Sequence, residues 1–293
     1  MQKVLIIGGN GMLGHKLVQT LKAHFEVWTT VRSDFGRLER FGIFERETTV
    51  GGIRAENTSD LERVIGTLRP DVVVNAVGVI KQLPTSNDVI NTLTINSILP
   101  HRLNELSARY GFRLVCISTD CVFSGERGNY SEDDRADAYD LYGRSKQLGE
   151  VGGENCLTIR TSIIGRELET SHSMVEWFLS NRGKRVNGYV NAVYSGFPTI
   201  VFADIIADLL KEHPALHGLY HISSEAINKF ELLGMINKQF NAGIEVERFE
   251  DFAIDRSLNS SRFRAATGFK PAPWEEMVER MASDRTPYET FRK

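Results

Sequence analysis

Tyr142-Gly143-Arg144-Ser145-Lys146 sets a phenol and an amine four residues apart, which on a helix is one face. An ordinary phenol keeps its proton up to a pH of about 10. A neighbouring ammonium stabilises the phenolate and is expected to lower that value. Tyr142 could then give a proton to a carbonyl oxygen as hydride reaches the carbon, or take it back in reverse, while Lys146 could hold the ribose of a nicotinamide. Such a pair alone is frequent on surface helices, so its weight depends on its company. Ser118-Thr119-Asp120 follows an apolar run and offers a hydroxyl for the reacting oxygen. Asn75-Ala76-Val77-Gly78 is a stretch small enough to lie close to a cofactor. Asn96 opens a later helical pattern, where it could equally be a start cap.

Gly8-Gly9-Asn10-Gly11-Met12-Leu13-Gly14 comes directly after an apolar run and opens a helical pattern. Gly8 suits a sharp turn, Gly11 lets a pyrophosphate come close to the backbone, and Gly14 lets helix and strand pack tightly. The free N–H groups and dipole of the helix start would meet the phosphates. The second apolar run ends in Thr29-Thr30-Val31-Arg32 with no acid. An acid there would favour NAD, whereas Arg32 suits a 2′-phosphate. NADPH is therefore the preferred cofactor, with NADH open, and a solvated surface role for Arg32 is the competing reading.

The elements that must carry these residues follow from hydrophobic pattern. Apolar runs predict strands over 4–7, 26–31, 72–76, 114–118 and 156–160, and their continuity suits strands buried on both faces. Helical patterns lie between them, over 13–25, 60–68, 96–110 and 142–149, the second announced by Thr58-Ser59-Asp60. The alternation predicts an α/β fold, a doubly wound parallel sheet of the Rossmann type, with ligands at the carboxyl edge of its strands. Beyond about Gly165 the pattern loosens: helices are expected over 173–180, 201–211 and 275–282, the last after Pro271, Pro273 and Trp274, with a short strand over 218–222. Residues 1–165 are thus assigned to the dinucleotide-binding domain, with later segments returning to it. Residues 166–293 are mostly a smaller, interleaved substrate-binding region.

Composition narrows the classes. The net charge of −3, from 35 basic and 38 acidic residues, leaves no basic footprint for nucleic acid. No window has the roughly 18 apolar residues of a membrane span, and the start MQKVLIIGGN lacks the apolar core of a signal peptide. Cys116, Cys121 and Cys156 have no metal-ligand spacing, so no metal site is expected. A cytoplasmic, reduced protein follows, with a homodimer as the default assembly of a soluble enzyme.

In this order the motifs resemble the extended short-chain dehydrogenase/reductases, and within them the dTDP-4-dehydrorhamnose reductases, which reduce a 4-keto sugar nucleotide. The resemblance rests on GGNGMLG (8–14), PDVVVNA (70–76), RLVCISTDCVFSG (113–125), YGRSKQLGE (142–150), IRTSIIG (159–165) and GLYHIS (218–223). FPT (197–199) and PWEEMVERM (273–281) add weaker matches. It implies that Tyr142 is the proton donor, Lys146 its activator and ribose ligand, and Thr119 the partner of the keto oxygen. Asp120 would face the sugar. Asn10, Gly11, Met12, Leu13, Asn75, Ala76, Gly78, Val79 and Asn96 would line the cofactor, and Thr199 and Arg256 would serve the nucleotide-diphosphate end of the substrate.

Two positions depart from that family. Cys121 stands where a Tyr commonly follows the Thr-Asp pair, and Ile163 where a Trp often follows Arg-Thr-Ser. Both belong to the sugar side of the family's pocket, so a different hexose is expected to fit. Cys121 also counts against the 4,6-dehydratases of the superfamily, which resemble Thr-Asp-Glu here and use that glutamate to eliminate water. The leading expectation is an NAD(P)H-dependent reductase of a nucleotide-linked 4-keto-6-deoxy sugar, in polysaccharide biosynthesis. Two rivals stay open: a non-catalytic NADP-binding regulatory subunit, since the β subunit of methionine adenosyltransferase is similar to these reductases, and a sugar-nucleotide epimerase.

Overall fold

The computed structural model describes residues 1–81 and 87–291. Its first half repeats strand and helix. β1 (Lys3–Ile7) leads into α1 (Gly14–Leu21), β2 (Glu26–Thr30) into the two-residue β3 (Thr49–Val50), and α2 (Thr58–Leu68) into β4 (Val72–Asn75). α3 (Val89–Leu93) continues through one wide π turn, Thr94–Ile98, into α4 (Leu99–Tyr110). β5 (Arg113–Thr119), α5 (Leu141–Leu148) and β6 (Cys156–Thr161) complete the half.

The second half contains β7 (Ile163–Ile164), α6 (Met174–Leu179), β8 (Arg185–Tyr194), β9 (Phe197–Pro198) and α7 (Thr199–Glu212). After them come β10 (Gly218–His221), β11 (Ile227–Asn228), α8 (Lys229–Gln239), β12 (Glu245–Asp255), α9 (Ser261–Thr267), α10 (Trp274–Ala282) and α11 (Tyr288–Phe291).

Seven of these strands form one sheet in the order β3-β2-β1-β4-β5-β6-β10, and every pairing is parallel. The order reverses between β1 and β4, the crevice where ligands of doubly wound sheets bind. Successive residues of β1 feed opposite cores. Val4 and Ile6 join one cluster with Leu17 of α1 and Phe202 of α7, while Leu5 and Ile7 join the other with Leu61 of α2 and Leu103 of α4. That two-sided burial is why β1 and β4 read as unbroken apolar runs rather than alternating ones.

A second, three-stranded sheet pairs β8 in parallel with β12 and antiparallel with β11. Hydrophobic pattern does not announce it, because β12 is largely exposed and its sequence, EVERFEDFAID, is charged. Among the described residues no helix is long and apolar enough to cross a membrane.

Several boundaries differ from expectation for local reasons. Asn96 does not open a helix: the helical course begins at Val89, capped by Asp88, whose side chain accepts the N–H of Asn91 at 3.0 Å. α2 starts one residue after Asn57, whose amide bonds the Asp60 carboxylate at 2.7 Å instead of a main-chain N–H. α10 is followed by a further short helix, α11. α8 was missed although it carries a start signal, since Asn228 Oδ1 accepts the N–H of Glu231 at 2.9 Å.

Candidate active site

The turn after β1 is shaped by two glycines. Gly8 has φ +86°, a conformation that L side chains rarely adopt. A Cβ on Gly14 would stand 2.1 Å from the Gly8 oxygen, so α1 can start close beneath the turn only because this position is bare. A Cβ on Gly11 would meet nothing nearer than 3.4 Å, so the outer side of the turn is open. Among the described residues the N–H groups of Met12 and Leu13 find no acceptor, as a helix start prepared for an anion requires. These features suit a dinucleotide pyrophosphate. Asn10, expected at the cofactor, turns its amide to Glu169 Oε2 at 3.1 Å.

The neighbouring loop follows β4. Asn75 Oδ1 accepts the N–H of Val77 at 3.2 Å and holds the small-residue stretch in its bend. Asn96 grips the loop from behind: its Oδ1 accepts the Val79 N–H at 2.9 Å, and its Nδ2 donates to the Val79 oxygen at 3.0 Å and to Ser145 Oγ at 3.1 Å. One buried amide therefore ties the loop bearing Ala76, Gly78 and Val79 to α5, which carries Tyr142 and Lys146. Gly78 is exposed and Ala76 half-buried beside it.

α5 begins at Asp140, whose Oδ1 accepts the Gly143 N–H at 2.9 Å. The start is pressed against the end of β5, since a Cβ on Gly143 would lie 2.2 Å from the Cys121 oxygen. Tyr142 is thereby brought near Thr119, whose hydroxyl opposes the rise of the phenol's pKa. The Thr119 hydroxyl donates to Asp120 Oδ1 at 3.0 Å and accepts the Cys121 N–H at 3.1 Å.

Ser118 does not join them. Its hydroxyl donates to Glu150 Oε1 at 2.7 Å, and that carboxylate is clamped by Arg160 through Nε and Nη2, each at 2.7 Å.

The electrostatics correct one expectation. Tyr142 is held above the usual phenol range, not below it: burial is the main cause, the charges of Cys121 and Asp120 add to it, and the Thr119 contact opposes it. Lys146 donates to the Ile117 oxygen at 2.6 Å. Burial lowers the Lys146 ammonium, against the charges of Cys116 and Glu150. A raised Tyr142 stays protonated at neutral pH, the state a proton donor needs. Asp120 is raised by burial, against hydrogen bonding from Thr119 and the charge of Arg256. Cys121 is pushed up to about 12 by burial and by Asp120, so its sulfur is a neutral thiol, not a nucleophile.

Two cations lie at this edge. Arg256, at the end of β12, donates through Nε to the Phe123 oxygen at 2.8 Å and through Nη2 to the Ser124 oxygen at 3.2 Å, with Nη1 3.8 Å from Cys121 Sγ. Lys81 was not singled out in the sequence. Its ammonium lies 5.7 Å from the Tyr142 ring centre and donates to Asp140 Oδ2 at 2.8 Å. Nothing near Lys81 in the sequence marks it, because its partners are some sixty residues away (|i−j| = 59 to Asp140).

Ile163 is half-buried in β7. Thr199 is 2 % exposed at the start of α7, and a Cβ on Gly165 would meet its hydroxyl at 2.3 Å. Thr199 thus packs against the turn at Gly165. Arg32 is exposed just beyond β2, and next to it the buried Ser33 hydroxyl has no partner among the described residues.

The described residues contain no group of three or more His, Cys, Asp or Glu that could hold a metal ion. A separate cavity of about 430 Å³ opens between the start of α6, β8 and α8, with Met174, Trp177, Tyr189 and Lys229 in its wall.

The family model described as the RmlD substrate binding domain matches residues 1–286. The spore coat polysaccharide biosynthesis protein SpsK of Bacillus subtilis is 26% identical over 303 residues, covering 98% of this chain and 99% of its own. A hypothetical dTDP-4-dehydrorhamnose reductase from Sulfolobus tokodaii superposes with a TM-score of 0.77 at 28% identity, over 94% of this chain and 98% of that one. The dTDP-4-dehydrorhamnose reductase of Bacillus anthracis, solved in complex with NADP, shares the fold with a TM-score of 0.78 at 23% identity, over 96% and 98%.

Proposed function

The chain belongs to the RmlD substrate binding domain family, and on that footing we propose that it is an NAD(P)H-dependent reductase of a nucleotide-linked 4-keto-6-deoxy sugar. The observation that carries the reading is the start of α5, with Tyr142, pressed against Cys121 just past Thr119 at the carboxyl edge of β5, in the same row of loops as the glycine turn. A bound reduced nicotinamide supplies the hydride. With substrate bound, Thr119 turns its hydroxyl from Asp120 to the keto oxygen beside Tyr142, and the Tyr142 proton passes to that oxygen as the carbon is reduced, leaving an alcohol. Asn96 keeps the loop of Gly78 and Val79 against α5, and Lys146 is the ribose ligand. Arg32 and the unpaired Ser33 hydroxyl next to it favour a 2′-phosphate, hence NADPH over NADH.

On the substrate side, Asp120 faces the sugar and Arg256 neutralises the diphosphate. The cavity beside α6 offers aromatic faces at Trp177 and Tyr189 and a cation at Lys229, the chemistry of a nucleoside diphosphate site. Cys121 and Ile163 leave more room around the hexose than the Tyr and Trp of the resembling reductases. The sugar therefore differs from dehydrorhamnose in its substituents. A purely regulatory role leaves the buried Thr119–Tyr142–Asp120 constellation without purpose, and burying such groups costs stability.

The test is NADPH oxidation with a panel of dTDP- and UDP-linked 4-keto-6-deoxy sugars. Turnover is expected on at least one, with kcat/KM about tenfold higher for NADPH than NADH, a preference that Arg32→Ala removes (~1.4 kcal/mol per decade). No oxidation with any of them, or tightly retained cofactor with no net consumption, would sink the reading.

A further inference from the structure

The last described segment reaches back to the glycine turn. Tyr288, in α11, places its hydroxyl 2.8 Å from His15 Nε2 on α1, and His15 Nδ1 stands 2.8 Å from the Gly11 oxygen. A carbonyl only accepts, so Nδ1 carries the proton. Burial keeps the ring neutral, its pKa lowered to about 3, so Nε2 offers only a lone pair to the Tyr288 hydroxyl, whose one proton is shared between Nε2 and Asp284 Oδ2, each 2.8 Å away. The Gly11 oxygen also accepts the main-chain N–H of His15 at 3.1 Å. Both bonds draw this carbonyl into the helix. In a planar trans peptide the next N–H points the opposite way, so the Met12 N–H is aimed out of the helix start.

Tyr288 is itself held. Asp284 Oδ2 lies 2.8 Å from its hydroxyl and is paired with the Lys16 ammonium, which is as good as sealed from solvent. Asp284 Oδ1 accepts the Thr286 N–H at 3.1 Å and the Thr286 hydroxyl at 3.0 Å. The other side of the Tyr288 ring carries the Arg166 guanidinium, 4.8 Å from its centre. Arg166 Nε donates to Glu176 Oε1 at 2.6 Å in α6, and three residues past Arg166 comes Glu169, the partner of Asn10 in the turn. One side chain thus touches the helix behind the turn and the loop in front of it.

A histidine and a lysine buried in the first helix of a doubly wound sheet, where apolar residues would pack at less cost, call for a reason beyond stability. We propose that residues 284–288 form a positioning strap for the cofactor site, acting through His15 to fix the peptide between Gly11 and Met12 that presents its N–H to the dinucleotide pyrophosphate. This rests on the reading of residues 8–14 as the pyrophosphate turn. Tyr288 and His15 touch neither cofactor nor substrate and act through the turn.

The experiment is fluorescence titration of the full chain with NADPH, beside steady-state kinetics and thermal melts, for the wild type, Tyr288→Phe, His15→Ala and His15→Asn. Losing one hydrogen bond that orients the turn should raise the NADPH dissociation constant about fivefold in Tyr288→Phe and about tenfold in His15→Ala. His15→Asn keeps an amide donor toward the Gly11 oxygen and should return to within about threefold of the wild type. Turnover at saturating NADPH should stay within about twofold in all of them.

Unchanged affinity in Tyr288→Phe and His15→Ala, measured where both are folded, would overturn the strap even if their melting temperatures fell. That result would mark the cluster as packing alone. A wild type that bound neither NADPH nor NADH would instead overturn the pyrophosphate reading, and the strap with it.

Discussion

Tyr142→Phe is expected to lower kcat by about a thousandfold, or about 4 kcal/mol of barrier, while the NADPH dissociation constant stays within about twofold. The substitution keeps the ring between Lys81 and the end of β5 and removes only the proton. The neighbours make the effect large. Thr119 can turn its hydroxyl from Asp120, to which it donates at 3.0 Å, toward the keto oxygen, but a threonine hydroxyl does not release its proton. Because burial and nearby negative charge raise the Tyr142 phenol, the donor stays protonated across the neutral range. Reduction by the wild type should therefore show no loss assignable to Tyr142 even as the pH passes about 10, where an ordinary phenol gives up its proton. A Phe variant turning over within tenfold of the wild type would remove Tyr142 from the chemistry.

Lys146→Met is expected to lower kcat about a hundredfold and to raise the NADPH KM about tenfold, a double effect that Tyr142→Phe does not share. Methionine fills the volume of the lysine stem, so the fold should persist. What disappears is the ammonium and its 2.6 Å bond to the Ile117 oxygen, which fixes the side chain at the edge where a nicotinamide ribose would lie. Leaving that oxygen unpaired costs about 1–3 kcal/mol, to be seen as a fall in melting temperature. Burial lowers the Lys146 pKa, so the wild type should lose NADPH affinity at a lower pH on the alkaline side than a solvated lysine would allow. An unchanged NADPH KM in Lys146→Met would deny it the ribose.

The main sheet was legible because both of its faces are buried. Val4–Ile7 and Val72–Val74 each feed two cores, so their apolar runs have no polar interruption. The glycine turn was legible because its geometry admits no side chain at Gly14. The second sheet was not, since β8 and β12 gain their order from pairing with each other while most of their side chains meet water.

At the site, the i, i+4 spacing announced Tyr142 and Lys146 but misled about what passes between them. Helical spacing gives a shared face, yet the amine reaches across to β5. Of the two readings the sequence allows for Asn96, the start cap fails, and its amide is the clasp between the β4 loop and α5. His15, Tyr288 and Asp284 gave no signal, because their contacts join residues 273 positions apart and only the fold brings them together.

The most direct test of the account is the fate of the hydride. With NADPH deuterated at the transferring position of C4 and an accepted 4-keto-6-deoxy sugar nucleotide, the product should gain one deuterium on the former keto carbon. One NADPH should be oxidised for each alcohol formed, and both signals should vanish together in Tyr142→Phe. A product formed without deuterium and without NADPH consumption would contradict the reductase, and with it the role given to Tyr142.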